Sequence, residues 1–125
     1  MSNNNDEVSV LIVEDEAITA LDLRYSLEEL GYGVVGVVDT GRDAIDKAGE
    51  LSPSVVLMDI KLKGAMEGTE AARVISKLGI PVVFVSANSD TDNLEEFRDE
   101  NSFAFVSKPF DLEKVDRTIS EVIKL

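Results

Sequence analysis

Residues Val10 to Glu16 read VLIVEDE, and the fold turns on how this stretch is understood. Four apolar residues in a row suit a strand buried on both faces. The run then ends in three consecutive acids, Glu14, Asp15 and Glu16. Carboxylates crowded at the mouth of an apolar core repel one another, so each must reach water, take up a proton or find a cation.

Working outward, short β-branched or aromatic runs occur at Val8 to Val13, Val34 to Val38, Val55 to Met58, Val82 to Val85 and Phe103 to Val106. Helical periods lie between them. Ile18, Leu21, Leu27 and Leu30 recur at helical spacing before Gly31, which is placed as a stop, and Ala44, Ile45 and Ala48 do so before Pro53. Ala71, Ala72, Ile75 and Leu78 form a third stripe, and Leu112, Val115, Ile119 and Val122 a fourth, with Asp111 as the expected N-cap. Asp90 to Asn101 is expected to be a further helix, although only Leu94 and Phe97 supply its apolar face. Five strands alternating with five helices predict an α/β fold, a doubly wound, mostly parallel sheet with right-handed crossovers and helices on both faces.

Ligands of such sheets sit at the carboxyl ends of the strands. Glu14 and Asp15 follow the first strand, Asp59 the third, Ser86 the fourth, and Lys108 and Pro109 the fifth. Three acids, a hydroxyl and an amine are thus expected along one edge. An oxygen-only donor set with room for water suits Mg²⁺ better than a full Ca²⁺ cage. Such a cation would relieve the repulsion between Glu14, Asp15 and Asp59, leaving Glu16 to open the first helix. Taken alone, acids after a strand commonly do no more than begin a helix; the weight lies in their combination with Asp59, Ser86 and Lys108.

Composition narrows the chemistry. The chain has 125 residues, 44% hydrophobic and 30% charged, which fits one globular domain. It contains no cysteine and no histidine, which excludes disulfides, thiolate catalysis, a Ser-His-Asp triad and His- or Cys-ligated metals. A net charge of −13 opposes binding to nucleic acid and to anionic lipid. No apolar run approaches the roughly 18 residues of a membrane span. Residues 1–7 are expected to be a disordered polar tail without signal-peptide character, residues 8–125 the domain, and the location cytoplasmic.

The ordered set VLIVEDE, VVLMDIKL, VVFVSA and FAFVSKPF resembles the receiver domain of bacterial and archaeal response regulators, from Val8 to Leu125. The resemblance implies a flavodoxin-like three-layer sandwich with five parallel strands in the order 2-1-3-4-5. It also implies that Asp59 is a phosphoacceptor, taking a phosphoryl group from a histidine kinase or phosphotransfer protein. Mg²⁺ would be held by Glu14, Asp15, Asp59 and the Lys61 carbonyl. Lys108 would face the phosphoryl oxygens, Ser86 would bond to them with Ala87 leaving access, and Phe105 would be the switch aromatic. The Lys108–Pro109 bond is expected to be cis. Self-catalysed phosphorylation and slow autodephosphorylation are expected rather than enzymatic turnover of a separate substrate. An output target protein and a phosphorylation-dependent homodimer are further expected partners, for a chain that is either a stand-alone regulator or a receiver taken from a longer protein.

Two features depart from the family pattern. Glu14 stands where many members have aspartate, and the loop IKLKGAMEG from Ile60 to Gly68 lacks a frequent proline and is one residue longer. Competing functions each miss a residue. A phosphohydrolase of the haloacid dehalogenase type needs a second acid where Lys61 stands. A flavin-binding electron carrier needs a Ser/Thr/Gly-rich loop where the acids stand. The remaining alternative is a degenerate receiver that docks proteins without being phosphorylated.

Overall fold

The computed structural model describes residues 8–62, 64–86, 103–108 and 111–123, with Ser86 described by its backbone. Strands β1 (Ser9–Val13), β2 (Gly33–Val38), β3 (Val55–Met58), β4 (Val82–Ser86) and β5 (Phe103–Ser107) alternate with helices α1 (Ala17–Glu29), α2 (Gly41–Leu51), α3 (Gly68–Lys77) and, after β5, α4 (Leu112–Ile123). All strand pairs are parallel, and the order is β2-β1-β3-β4-β5. The expected helix at Asp90 to Asn101, the tail at 1–7, Ala87 and the Lys108–Pro109 bond lie outside the described residues.

Because side chains alternate along a strand, each central strand feeds two cores. Leu11, Val13, Val56, Met58, Val82 and Phe84 pack with Ala44, Ala48, Ala71, Ala72 and Ile75 of α2 and α3. Val10, Ile12, Val55, Leu57, Val83 and Val85 pack with Leu23 and Leu27 of α1 and Val115, Ile119 and Val122 of α4. Both faces of the sheet are therefore covered, which is why VLIV and VVLM carry no polar residue.

Local signals set the helix ends. Gly31 has φ 94°; its N–H donates to the Glu28 carbonyl at 3.0 Å and that of Tyr32 to the Leu27 carbonyl at 3.1 Å. This left-handed stop satisfies two terminal carbonyls of α1. The Tyr32 hydroxyl then donates to Asp116 of α4. At the start of α4, Asp111 Oδ1 accepts the Lys114 N–H at 2.7 Å, as an N-cap should. Asp111→Ala is expected to lower stability by about 1 kcal/mol, read in urea as a shifted midpoint with unchanged slope.

One stripe is phased differently from the sequence expectation. α1 buries Ala20, Leu23 and Leu27, while Ile18 and Leu21 are 85% and 52% exposed. Leu23 and Leu27 pack against the sheet in the core they share with α4, and that packing fixes the rotation of α1. Leu78 is likewise 52% exposed, because it is the C-cap beyond the last turn of α3.

Candidate functional site at the carboxyl edge of the sheet

The two ends of the sheet differ in chemistry. At the amino end Ser9 and Ser54 donate their N–H groups to each other's hydroxyls at 3.0 and 2.9 Å, closing the gap between β1 and β3. At the carboxyl end charged side chains fill the corresponding place. Glu14 directly continues β1, its N–H bonded to the Val38 carbonyl at 2.9 Å, and Asp59 directly continues β3, its N–H bonded to the Val13 carbonyl at 3.0 Å. Both carboxylates are thus aimed by backbone that is already part of the ladder.

Lys108 arrives from β5, two strand spacings or roughly 10 Å from β3, a span that suits a long side chain. Its ammonium donates to Glu14 Oε1 at 3.1 Å and to Asp59 Oδ2 at 3.2 Å. The other oxygen of each carboxylate takes a main-chain donor: Glu16 N–H to Glu14 Oε2 and Lys61 N–H to Asp59 Oδ1, both at 3.2 Å. Glu16 also opens α1 as expected, but its carboxylate accepts from the Thr19 hydroxyl at 2.9 Å and not from an α1 N–H.

Glu14, Asp15 and Asp59 each bring one carboxylate oxygen to within 4.8 Å of the others. Oxygens around Mg²⁺ at about 2.1 Å are about 3 Å apart when adjacent and about 4 Å when opposite. Small closing movements would bring the three into one shell. The donor set is all oxygen, and three carboxylates against one ammonium leave a charge suited to a dication. These residues therefore fit a magnesium ion. Burial pushes the Glu14 carboxyl above its usual range, with Asp59 adding to the rise and the Glu16 N–H and Lys108 opposing it. Burial works to lower Lys108, but its bonds and attraction to Glu14 and Asp59 outweigh that and hold it above its ordinary value.

The remaining predicted residues are placed by the backbone. Ser86 ends β4 in register with Ser107, beside Lys108. Phe105 pairs in register with Phe84 and packs, half-buried, against the α2/α3 core. Lys61 lies in the turn after Asp59. A cleft of about 460 Å³ opens beside the acids between α1 and the β2 end, lined among others by Glu14, Asp15, Leu21, Arg24, Asp39 and Asp43.

A parallel sheet in this order, with acids and a lysine converging at its carboxyl edge, defines a doubly wound α/β protein whose charged side chains meet at one end of the sheet. The family model of the response regulator receiver domain matches residues 10–120, and the chain belongs to that family. It is 38% identical over 104 residues to the transcriptional regulatory protein PdtaR of Mycobacterium tuberculosis, covering 82% of this chain and 50% of that protein. It is 32% identical to the chemotaxis protein CheY of Thermotoga maritima, over 92% of this chain and 97% of that one. Among solved structures, the signal receiver domain of a modulated diguanylate cyclase from Desulfovibrio desulfuricans superposes with a TM-score of 0.85 at 36% identity, covering 93% of each chain. The chain spans about half the length of PdtaR.

Two features are not legible in the sequence. The outward face of α1 carries Ile18, Leu21 and Tyr25, all more than half exposed; their spacing of three and four residues marks a common helix face, but Leu23 and Leu27 mark another, and the spacing does not say which is buried. The close approach of Gly68 to Asp59 had no signal beyond the glycine itself.

Proposed function

We propose that the chain is the phosphoacceptor receiver of a two-component phosphorelay. Asp59 takes a phosphoryl group from a phosphohistidine on a kinase or phosphotransfer protein. A carboxylate oxygen of Asp59 forms the new O–P bond as the P–N bond breaks, and the imidazole nitrogen keeps the electron pair and takes a proton. The observation that carries this reading is the Lys108 ammonium bridging Glu14 and Asp59 at 3.1 and 3.2 Å. It holds a positive charge beside the oxygen that reacts, already ordered before the donor arrives. Glu14, Asp15, Asp59 and the Lys61 carbonyl would hold Mg²⁺, which when bound supplies neutralisation of the phosphoryl oxygens. Ser86, at the neighbouring strand end, would bond to those oxygens, and Phe105 would report that bond to the surface. The test is intact mass after incubation with acetyl phosphate. A gain of one phosphoryl group that requires Mg²⁺ is expected, whereas a degenerate docking receiver would gain none.

The α1 strip supports a protein donor. Ile18, Leu21 and Tyr25 are 85%, 52% and 62% exposed, and Leu21 lines the same cleft as Glu14 and Asp15. An apolar anchor beside the acids that adjoin Asp59 is where a partner would gain binding energy. Ile18→Asp, which places an acid where the α1 dipole favours one, is expected to slow transfer from a phosphorylated histidine phosphotransfer protein about tenfold or more. Uptake from acetyl phosphate should stay at the wild-type rate. Equal loss with both donors would tie Ile18 to the chemistry instead.

A further inference from the structure

α3 begins closer to the main chain at Asp59 than any side chain would permit. A Cβ on Gly68 would lie 2.3 Å from the Asp59 carbonyl oxygen, 2.9 Å from the Ile60 carbonyl oxygen and 3.0 Å from Ile60 Cα. All three are backbone atoms, so nothing can swing aside. The Gly68 N–H also donates to the Ile60 carbonyl at 3.0 Å. Positive φ occurs at Gly31, Gly64 and Gly79, whereas Gly68 starts a helix; the demand at Gly68 is for space and not for an unusual backbone.

Both sides of this contact are anchored. α3 is held in the core by Ala71, Ala72 and Ile75, all 0% exposed, and β3 is paired with β1 and β4. Between them lies the turn Asp59–Lys61, where Ile60 is buried in the core and the Asp59 carboxylate is held by the 3.2 Å bond from Lys61 N–H to Asp59 Oδ1. A side chain at residue 68 would therefore be felt first by the carboxylate and by the Lys61 carbonyl. By contrast, a Cβ on Gly41 would meet only side chains, Met66 Cγ at 3.1 Å and Ala71 Cβ at 3.3 Å among them, and one on Gly49 would meet nothing within 4 Å.

We propose that Gly68 is a positioning residue for phosphoryl transfer: its bare Cα lets the first turn of α3 back against Asp59 and Ile60 and so sets the aim of the Asp59 carboxylate. The proposal rests on the phosphoacceptor reading above. Its role is not simply to stabilise, and the experiment separates the two.

Gly68→Ala is compared in the full chain with Gly49→Ala, where space is open, and with Ala72→Gly, which weakens α3 without touching Asp59. Uptake from acetyl phosphate at saturating donor should fall about 10- to 100-fold in Gly68→Ala, with half-saturation unchanged within about twofold. The amide resonances of Asp59, Ile60 and Lys61 should move in that variant. Ala72→Gly should melt earlier yet keep the wild-type rate, and Gly49→Ala, in the exposed interior of α2, should keep the rate and melt somewhat later. A wild-type rate in Gly68→Ala, or an equal loss in Ala72→Gly, overturns the proposal. Should Gly68→Ala not fold, the wild type decides: titration with Mg²⁺ should move the Gly68 and Lys61 amides with one midpoint, and a static Gly68 amide overturns it. If wild type takes up no phosphoryl group, the phosphoacceptor reading falls, while displacement of the residue 59–61 amides still decides whether Gly68 sets that turn.

Discussion

Asp59→Asn is expected to lose all detectable phosphoryl uptake while keeping its fold. An amide oxygen is a far weaker nucleophile than a carboxylate, yet it has nearly the same shape. The interactions that aim residue 59 survive the change: its N–H still reaches the Val13 carbonyl, and Asn Oδ1 can still accept from Lys61 N–H. Lys108 loses one acceptor but keeps Glu14 at 3.1 Å. Removing the Asp59 charge also removes one of the influences that raise Glu14, so part of the lost attraction is offset by lost repulsion. The variant should therefore melt close to wild type. Intact mass after acetyl phosphate and Mg²⁺ reads the result, and a phosphoryl group on Asp59→Asn, under conditions where wild type gains one, would sink the assignment.

The central strands were legible in the sequence because a strand buried on both faces leaves a dense apolar run. VVLM from Val55 to Met58 matches β3 at both ends, and its four residues are buried. The acids were legible for a related reason: a charge immediately after such a run is conspicuous, and the parallel topology carries all such positions to one edge. Rotation of α1 was not legible. Its sequence AITALDLRYSLEE offers apolar residues on two faces, so periodicity alone gives two phases, and only contact with the sheet selects Ala20, Leu23 and Leu27. Nor could spacing reveal that Lys108 reaches both Glu14 and Asp59, because residues 94 and 49 positions apart meet only through strand order. The question raised by VLIVEDE thus has a structural answer for its most buried acid: Glu14, 6% exposed, has the Lys108 ammonium as its cation.

That answer makes the lysine and a metal compete for the same carboxylates, which sets the sign of the last expected result. Glu14 titrates higher in the folded chain than its ordinary 4.5, chiefly through burial. Its contribution to stability is therefore fully present below pH 4.5 and is lost as pH rises through the folded value. Lys108 sits above its ordinary 10.5, so its contribution is fully present below pH 10.5 and constant across the neutral range. Above the Glu14 transition the metal-free site carries three carboxylates against one ammonium, and Mg²⁺ should raise the melting temperature. At about 100 times its dissociation constant the gain is about 2.7 kcal/mol, roughly 10 °C for a domain of this size. As pH falls the gain should shrink, because Glu14, raised above its ordinary 4.5, increasingly holds a proton that binding must remove. Asp15→Asn and Glu14→Gln should both reduce it, and Glu14→Gln should raise the metal-free melting temperature at neutral pH. Lys108→Met should do the opposite: it leaves Glu14 buried without its cation, lowering metal-free stability by about 3 kcal/mol at neutral pH, and it should enlarge the Mg²⁺ gain beyond that of wild type. Scanning calorimetry of the four proteins with and without Mg²⁺ at pH 5 and pH 7.5 reads every sign. An identical Mg²⁺ gain in wild type, Glu14→Gln and Lys108→Met would show that the ion binds elsewhere.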